Sequence, residues 1–157
     1  MPIILSGRGL EDAIKEMHAA IEKARLSPCA KDQRGAAIFK DGELLGKGFN
    51  APPVGFICSP RYCEPTCRNY TIHAEMNAIT DAVLKGKYRE LKGSRMYHAK
   101  VENGLLQDSR KPRCDCSKHF PAFGISEVVL KHPEGYTLYD SLEFFELSIE
   151  GMKNRKL

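Results

Sequence analysis

The 157-residue chain is predicted to fold as an α/β domain, a mixed sheet covered by helices on both faces. Three observations carry this expectation. The elements read helix, hairpin, helix, strand, helix, strand, helix, and alternation in the second half is the pattern of strands linked by helical crossovers. Charged residues make up 28% and hydrophobic residues 42%, the balance of a globular chain and not of a disordered one. The length is that of one domain with a buried core, and no repeat or linker divides it, so 1–157 is read as a single domain.

Each element has its own signal. From Leu10 to Leu26, Ile14, Met17, Ile21 and Ala24 recur at helical spacing between charged residues, and Ser27-Pro28 ends the run. Gly35–Lys40 and Glu43–Phe49 read as two strands, joined by Asp41-Gly42, a strong short hairpin signal. The stretch 50–72 has no apolar period and holds four prolines and three cysteines. An ordered loop of that length needs something to staple it. His73 to about Leu84 reads as a second helix with Met76, Ile79, Ala82 and Val83 on its apolar face. Arg95–Val101 is a third strand, followed from Asn103-Gly104 to Lys111 by a polar excursion. Cys116–Phe123 is a short helix that Pro121 confines or kinks. Ser126–Lys131 is a fourth strand, Tyr139–Leu147 a last helix, and the basic tail 153–157 frays.

Composition excludes several classes. Net charge is +4, which suits an anionic small substrate and is too weak to argue for a nucleic-acid partner. Met1-Pro2-Ile3-Ile4-Leu5 is too short for the apolar region of a secretory signal, and no run approaches the about 18 apolar residues of a membrane span. A cytoplasmic location without membrane partners is therefore expected. In that reducing compartment the six cysteines read as metal ligands or catalytic groups before they read as disulfides.

The chemistry gathers at two helix starts. His73 and Glu75 are two residues apart, a spacing that does not share a helix face. They converge only at the open end of the helix, where unpaired N–H groups create positive potential. Cys114 and Cys116 open the next predicted helix, where the same field favours the thiolate that a metal needs. Together His73, Cys114 and Cys116 supply three ligands to zinc and leave the fourth position to water, the catalytic pattern. Two thiolates neutralise the formal charge of the ion, so its water is acidified less than in an all-histidine site. Glu75 is then the general base that makes up the difference.

At this point the chain resembles the cytidine and deoxycytidylate deaminase superfamily. His73-Ala74-Glu75 with Met76-Asn77-Ala78-Ile79 matches the His-x-Glu half of the zinc-deaminase signature, of which Pro-Cys-x-x-Cys is the other half. Pro112 is present, but Arg113 stands where the first cysteine is expected, and one residue instead of two separates the thiols. The resemblance implies a three-layer α-β-α cytidine-deaminase-like fold with a mixed sheet of four to five strands. It also implies a homo-oligomer, and hydrolysis of a cytosine nucleotide, dCMP to dUMP with release of ammonia.

Four cysteines remain. Cys58, Cys63 and Cys67 lie in the insertion 50–72, and Cys29 follows the first helix. The same resemblance implies a second, structural zinc on these four, closed to water and serving folding. Free thiols, or His18 or His98 in place of one cysteine, stand as the alternative. Gly48-Phe49-Asn50-Ala51-Pro52-Pro53-Val54-Gly55 resembles the sugar-binding stretch of deoxycytidylate deaminases. By that resemblance Asn50 meets the sugar and the Ala74 backbone meets the base. Arg113, Arg34 and Lys118 are candidates for the phosphate. Two other functions stay open: an editing deaminase of tRNA or single-stranded nucleic acid, which calls for a basic groove with stacking aromatics, and a zinc-stabilised module without catalysis.

Overall fold

The computed structural model describes residues 1–63 and 66–154. A sheet of seven strands forms its centre: β1 (Ile3–Ile4), β2 (Gln33–Lys40), β3 (Glu43–Phe49), β4 (Arg95–Glu102), β5 (Leu105–Gln107), β6 (Glu127–His132) and β7 (Gly135–Asp140). Four α-helices accompany it: α1 (Gly7–Arg25), α2 (Ala74–Leu84), α3 (His119–Ala122) and α4 (Ser141–Lys153). The strand order is β1-β7-β6-β4-β2-β3, with β5 paired to β4 outside that path. Only β4 and β6 run parallel; every other pair is antiparallel. The sheet is therefore mixed, as expected, but it has seven strands and not four to five.

The extra strands lie where local pattern is weakest. The polar excursion after Val101 is in fact a tight hairpin: Asn103 and Gly104 both take positive φ (51° and 75°), and β5 returns along β4. Tyr139 begins no helix. It sits in β7, and the helix starts only after Asp140, whose carboxylate accepts from the backbone N–H groups of Leu142 and Glu143. The predicted helix 116–123 is a 3₁₀ turn over Asp115–Lys118 running into the single turn of α3. The hairpin at Asp41-Gly42 holds, with φ of 49° and 79°. Of the basic tail expected to fray, Lys153 is the last residue of α4, and 155–157 lie outside the described residues.

Alternation along the strands builds two cores. Tyr97, Ala99 and Val101 of β4 join Ala37 and Val129 against Met17, Ala20 and Ala24 of α1. Met96 of β4 joins Ala36, Ile38, Val128 and Leu130 on the opposite face, against α2, Phe120 and Phe144. The result is three layers, helix on sheet on helices. Glycine sets how close α2 comes. A Cβ at Gly48 would lie 2.6 Å from the Ala78 nitrogen, and one at Gly46 would lie 2.4 Å from the Ala78 carbonyl. That contact fixes the start of α2 over the end of β3. No described helix is long and apolar enough to cross a membrane.

Candidate active site

His73 caps α2 in an extended conformation (φ −64°, ψ 151°), so its ring projects beyond the helix axis. Ala74 and Glu75 follow in the first turn, where unpaired N–H groups face outward. Cys114 is the residue before the 3₁₀ turn, in the corresponding extended conformation (φ −111°, ψ 123°), and Cys116 lies inside that turn. The crossover from β4 to β6 brings the second start against the first. His73 Nδ1 lies 3.5 Å from Cys116 Sγ and 3.8 Å from Cys114 Sγ. Glu75 is nearly buried, with Oε1 3.8 Å from Cys114 Sγ. The residue between the thiols also points in: Asp115 Oδ1 is 3.5 Å from His73 Nδ1.

These residues fit zinc. Tetrahedral bond lengths of about 2.0–2.1 Å to imidazole nitrogen and about 2.3 Å to sulfur put nitrogen and sulfur about 3.6 Å apart. The two measured distances straddle that value. The ligand atoms of His73, Cys114, Asp115 and Cys116 all lie within 4.8 Å of one another, and they are the only such group among the described residues. The Cys114 and Cys116 sulfurs are joined to each other here, with Cα atoms 5.3 Å apart. Zinc takes the reduced pair, as thiolates. The one-residue spacing therefore brings both sulfurs to the imidazole, because Cys114 precedes the turn and Cys116 lies within it.

His73 and Cys114 of this group stand in the wall of a cavity of about 760 Å³, which Asn50, Ala74, Glu75 and His98 also line. Asn50 is buried and heavily engaged. Its Oδ1 accepts from the Ser27 hydroxyl at 2.7 Å and from the Arg34 backbone at 2.8 Å, and its Nδ2 donates to the Asp32 carbonyl at 2.6 Å. One Nδ2 hydrogen is left over in that accounting. The rim is cationic: among the described residues Lys31, Arg34, Arg68, Arg110, Lys111 and Arg113 line the cavity, with Asp32 and Glu75 as carboxylates. Of the phosphate candidates, Arg113 is on the rim and exposed, Arg34 is there but pairs with Asp32 at 2.8 Å, and Lys118 is not on it.

Cys29, Cys58, Cys63 and Cys67 line the same cavity as free thiols, without coming within mutual ligating distance. His98, weighed above as a stand-in for one of them, lines the cavity too, with Glu75 as its near neighbour. It is buried on β4 with Nε2 3.7 Å from Glu75 Oε1. Burial pushes its imidazole below the usual range, while Glu75 pulls the other way. Sequence reading also passed over Arg68, Arg110, Lys111 and Asp115. The run Arg110-Lys111-Pro112-Arg113 ahead of the thiols was the visible signal for a cationic rim.

Comparisons with known proteins give the family and the fold. Residues 10–132 match the family described as cytidine and deoxycytidylate deaminase zinc-binding region. A deoxycytidylate deaminase of Mycobacterium phage D29 is 30% identical over 124 residues, covering 70% of this chain and 86% of the phage protein. The apo dCMP deaminase of cyanophage S-TIM5 superposes with a TM-score of 0.56 at 26% identity, over 75% of this chain and 80% of the phage chain. The cyanophage enzyme in complex with dCMP and dUMP gives a TM-score of 0.54 at 24% identity, over 79% and 82% of the two chains, a likeness of fold.

Proposed function

The chain belongs to the cytidine and deoxycytidylate deaminase family, and on that premise we propose that it converts dCMP to dUMP and ammonia. The observation that carries this reading is the meeting of His73, Cys114 and Cys116 beside Glu75, at a cavity that His73, Glu75 and Cys114 line together with six cationic side chains. A neutral nucleoside has no use for such a rim; a nucleotide phosphate does.

His73, Cys114 and Cys116 would hold zinc, which when bound supplies the Lewis acidity that makes water a nucleophile near neutral pH. Glu75 takes the proton of the attacking water as the C4–O bond forms. It passes that proton to ring N3, then takes the proton of the new C4 hydroxyl and delivers it to the exocyclic nitrogen. The C4–N bond then breaks and ammonia leaves. The place of Glu75 in the first turn of α2, lining the cavity beside His73 and Cys114, supports this role. The Ala74 backbone at the helix start is available to the base, and the spare Nδ2 hydrogen of Asn50 to the sugar. Arg113, with Arg110 and Lys111 beside it, serves the phosphate. A second, structural zinc on Cys29, Cys58, Cys63 and Cys67 belongs to the same reading, supported by their common place along one cavity.

The test is the loss of ultraviolet absorbance of dCMP with reduced, zinc-loaded protein beside Glu75→Gln. Turnover by the parent and at least about a hundredfold less by the variant, with zinc retained, is the expected result. Equal turnover by both removes Glu75 as the proton carrier. No turnover of dCMP, with salt-sensitive binding of single-stranded RNA, moves the substrate to nucleic acid.

A further inference from the structure

We propose that His98 is a positioning residue, its Nε2–H holding the Glu75 carboxylate in the orientation that faces the cavity. The inference rests on the proposed role of Glu75 and adds to it a residue outside the His-x-Glu and cysteine motifs.

His98 lies in the middle of β4, on the face that carries Met96 into the core under α2. Its cross-strand partner on β2 is Ala36, small enough to leave room for a ring. A strand position on that face is ordinarily filled by an aliphatic side chain, as Met96, Ile38 and Val128 show. A polar ring there costs stability unless something pairs with it. The pairing group is Glu75: Nε2 to Oε1 is 3.7 Å, with the two side chains 9% and 10% exposed.

The second feature is the arrangement around that one oxygen. Cys114 Sγ stands 3.8 Å from the same Oε1. The carboxylate is thus flanked by the sheet on one side and by the thiol turn on the other. A group that carries a proton from water to a ring nitrogen has to be held within a narrow range of orientations, and an error of about 1 Å can cost a hundredfold in rate. At 3.7 Å the contact is longer than a formed hydrogen bond, and catalytic contacts of this kind tighten when substrate fills the site. The side chain is suited to the task as a neutral donor. It aims an N–H at the carboxylate without a positive charge that would weaken Glu75 as a base.

The experiment combines two substitutions with one spectroscopic measurement on zinc-loaded protein. His98→Phe keeps the ring and removes the N–H; His98→Gln restores an N–H at about the same reach. With dCMP, His98→Phe is expected to lower kcat by about ten- to a hundredfold with KM within about threefold and zinc content unchanged, and His98→Gln to recover most of the loss. A folded His98→Phe with kcat within about twofold of the parent overturns the proposal, as does a His98→Gln no better than the Phe variant. The independent arm is ring nitrogen NMR of histidine-labelled protein. The expected signature is a proton on Nε2 and none on Nδ1, with the Nε2 resonance moved by Glu75→Gln. A proton on Nδ1 with bare Nε2, or a resonance indifferent to Glu75→Gln, overturns the contact whether or not dCMP is turned over. If the parent does not deaminate dCMP, the substrate reading fails by itself and the NMR arm decides the fate of His98. If His98→Phe does not fold, His98→Gln and the NMR arm decide it.

Discussion

The Asn77 side chain donates from Nδ2 to the Phe49 carbonyl at 2.8 Å, tying the first turns of α2 to the last residue of β3. The bond crosses the seam where two glycines let helix and strand touch, one turn beyond His73. Asn77→Ala leaves the Phe49 carbonyl short of a partner. It is expected to cost about 1–3 kcal/mol in urea unfolding, with a lowered midpoint and an unchanged slope. A midpoint equal to the parent's assigns the seam to packing alone.

Gly48→Ala tests that packing. The new methyl would lie 2.6 Å from the Ala78 nitrogen and 2.7 Å from the Asn77 carbonyl carbon, so α2 has to move. A loss of about 1–3 kcal/mol is expected, with weaker retention of zinc against a chelator because His73 moves with the helix. Gly9→Ala is the control. It meets only Leu5 Cδ2 at 4.0 Å within α1, and is expected to be neutral or to stabilise by up to about 1 kcal/mol.

A third prediction concerns the segment that leads to the thiols. His132 uses both ring nitrogens, with Nδ1 2.8 Å from the Ser109 carbonyl and Nε2 2.7 Å from the Tyr139 hydroxyl. The tautomer that satisfies both donates from Nδ1 and accepts at Nε2. His132→Leu frees the Ser109 carbonyl and is expected to speed amide hydrogen exchange across 109–114 while β6 stays protected. Tyr139→Phe, which removes only the hydroxyl, is expected to cost about 1–3 kcal/mol and to leave 109–114 closer to the parent.

Alkaline stability has a specific source. Burial holds the Tyr97 phenol well above its usual range, and the hydrogen bond that its hydroxyl donates to the Glu16 carboxylate adds to the shift while Arg95 opposes it. The folded state therefore keeps a proton that the unfolded state gives up at about pH 10. Stability from this group is complete below that pH and falls as pH rises above it. Thermal melts of the parent are expected to drop steeply above about pH 10, and Tyr97→Phe to flatten that drop. Parallel curves refute the assignment.

Metal removal separates the two proposed ions. Parent protein is expected to hold two zinc ions per chain, and Cys63→Ser one, with a lower Tm and with kcat in the folded fraction nearly unchanged. Unchanged stoichiometry with an unchanged Tm removes the structural ion. A complete loss of both ions would show instead that the two sites depend on each other.

The parts of the site legible in the sequence were those whose signal is local. His73 and Glu75 open a helix, and helix starts announce themselves through spacing and composition. The Asp41-Gly42 hairpin needed only its two turn residues. His98 carries no local signal, because a histidine in a strand looks the same whether it faces solvent, a core or a carboxylate. Its meaning depends on α2 crossing β4, a relation between residues far apart in the chain. The strand β7 was lost for a different reason. Tyr139 was grouped with the apolar residues of α4, although Asp140, with Glu143 three residues on, was the better marker of the helix start. The irregular thiol spacing was legible as a fact but not as a consequence. Only the extended conformation at Cys114 shows how one intervening residue suffices.

The cationic rim has a kinetic consequence under the proposed reaction. Substrate and product carry the same phosphate, so a field that speeds capture of one slows escape of the other by a similar factor. Six positive side chains around one opening therefore cannot tell the two apart; they only raise the residence time of both. Discrimination falls to the base end, where an amine becomes a carbonyl beside His73, Glu75 and the two thiols. Raising ionic strength should then lower kcat/KM through the encounter rate. If release of dUMP limits the cycle, the same salt should raise kcat, so that the enzyme works fastest at saturation where it binds least well.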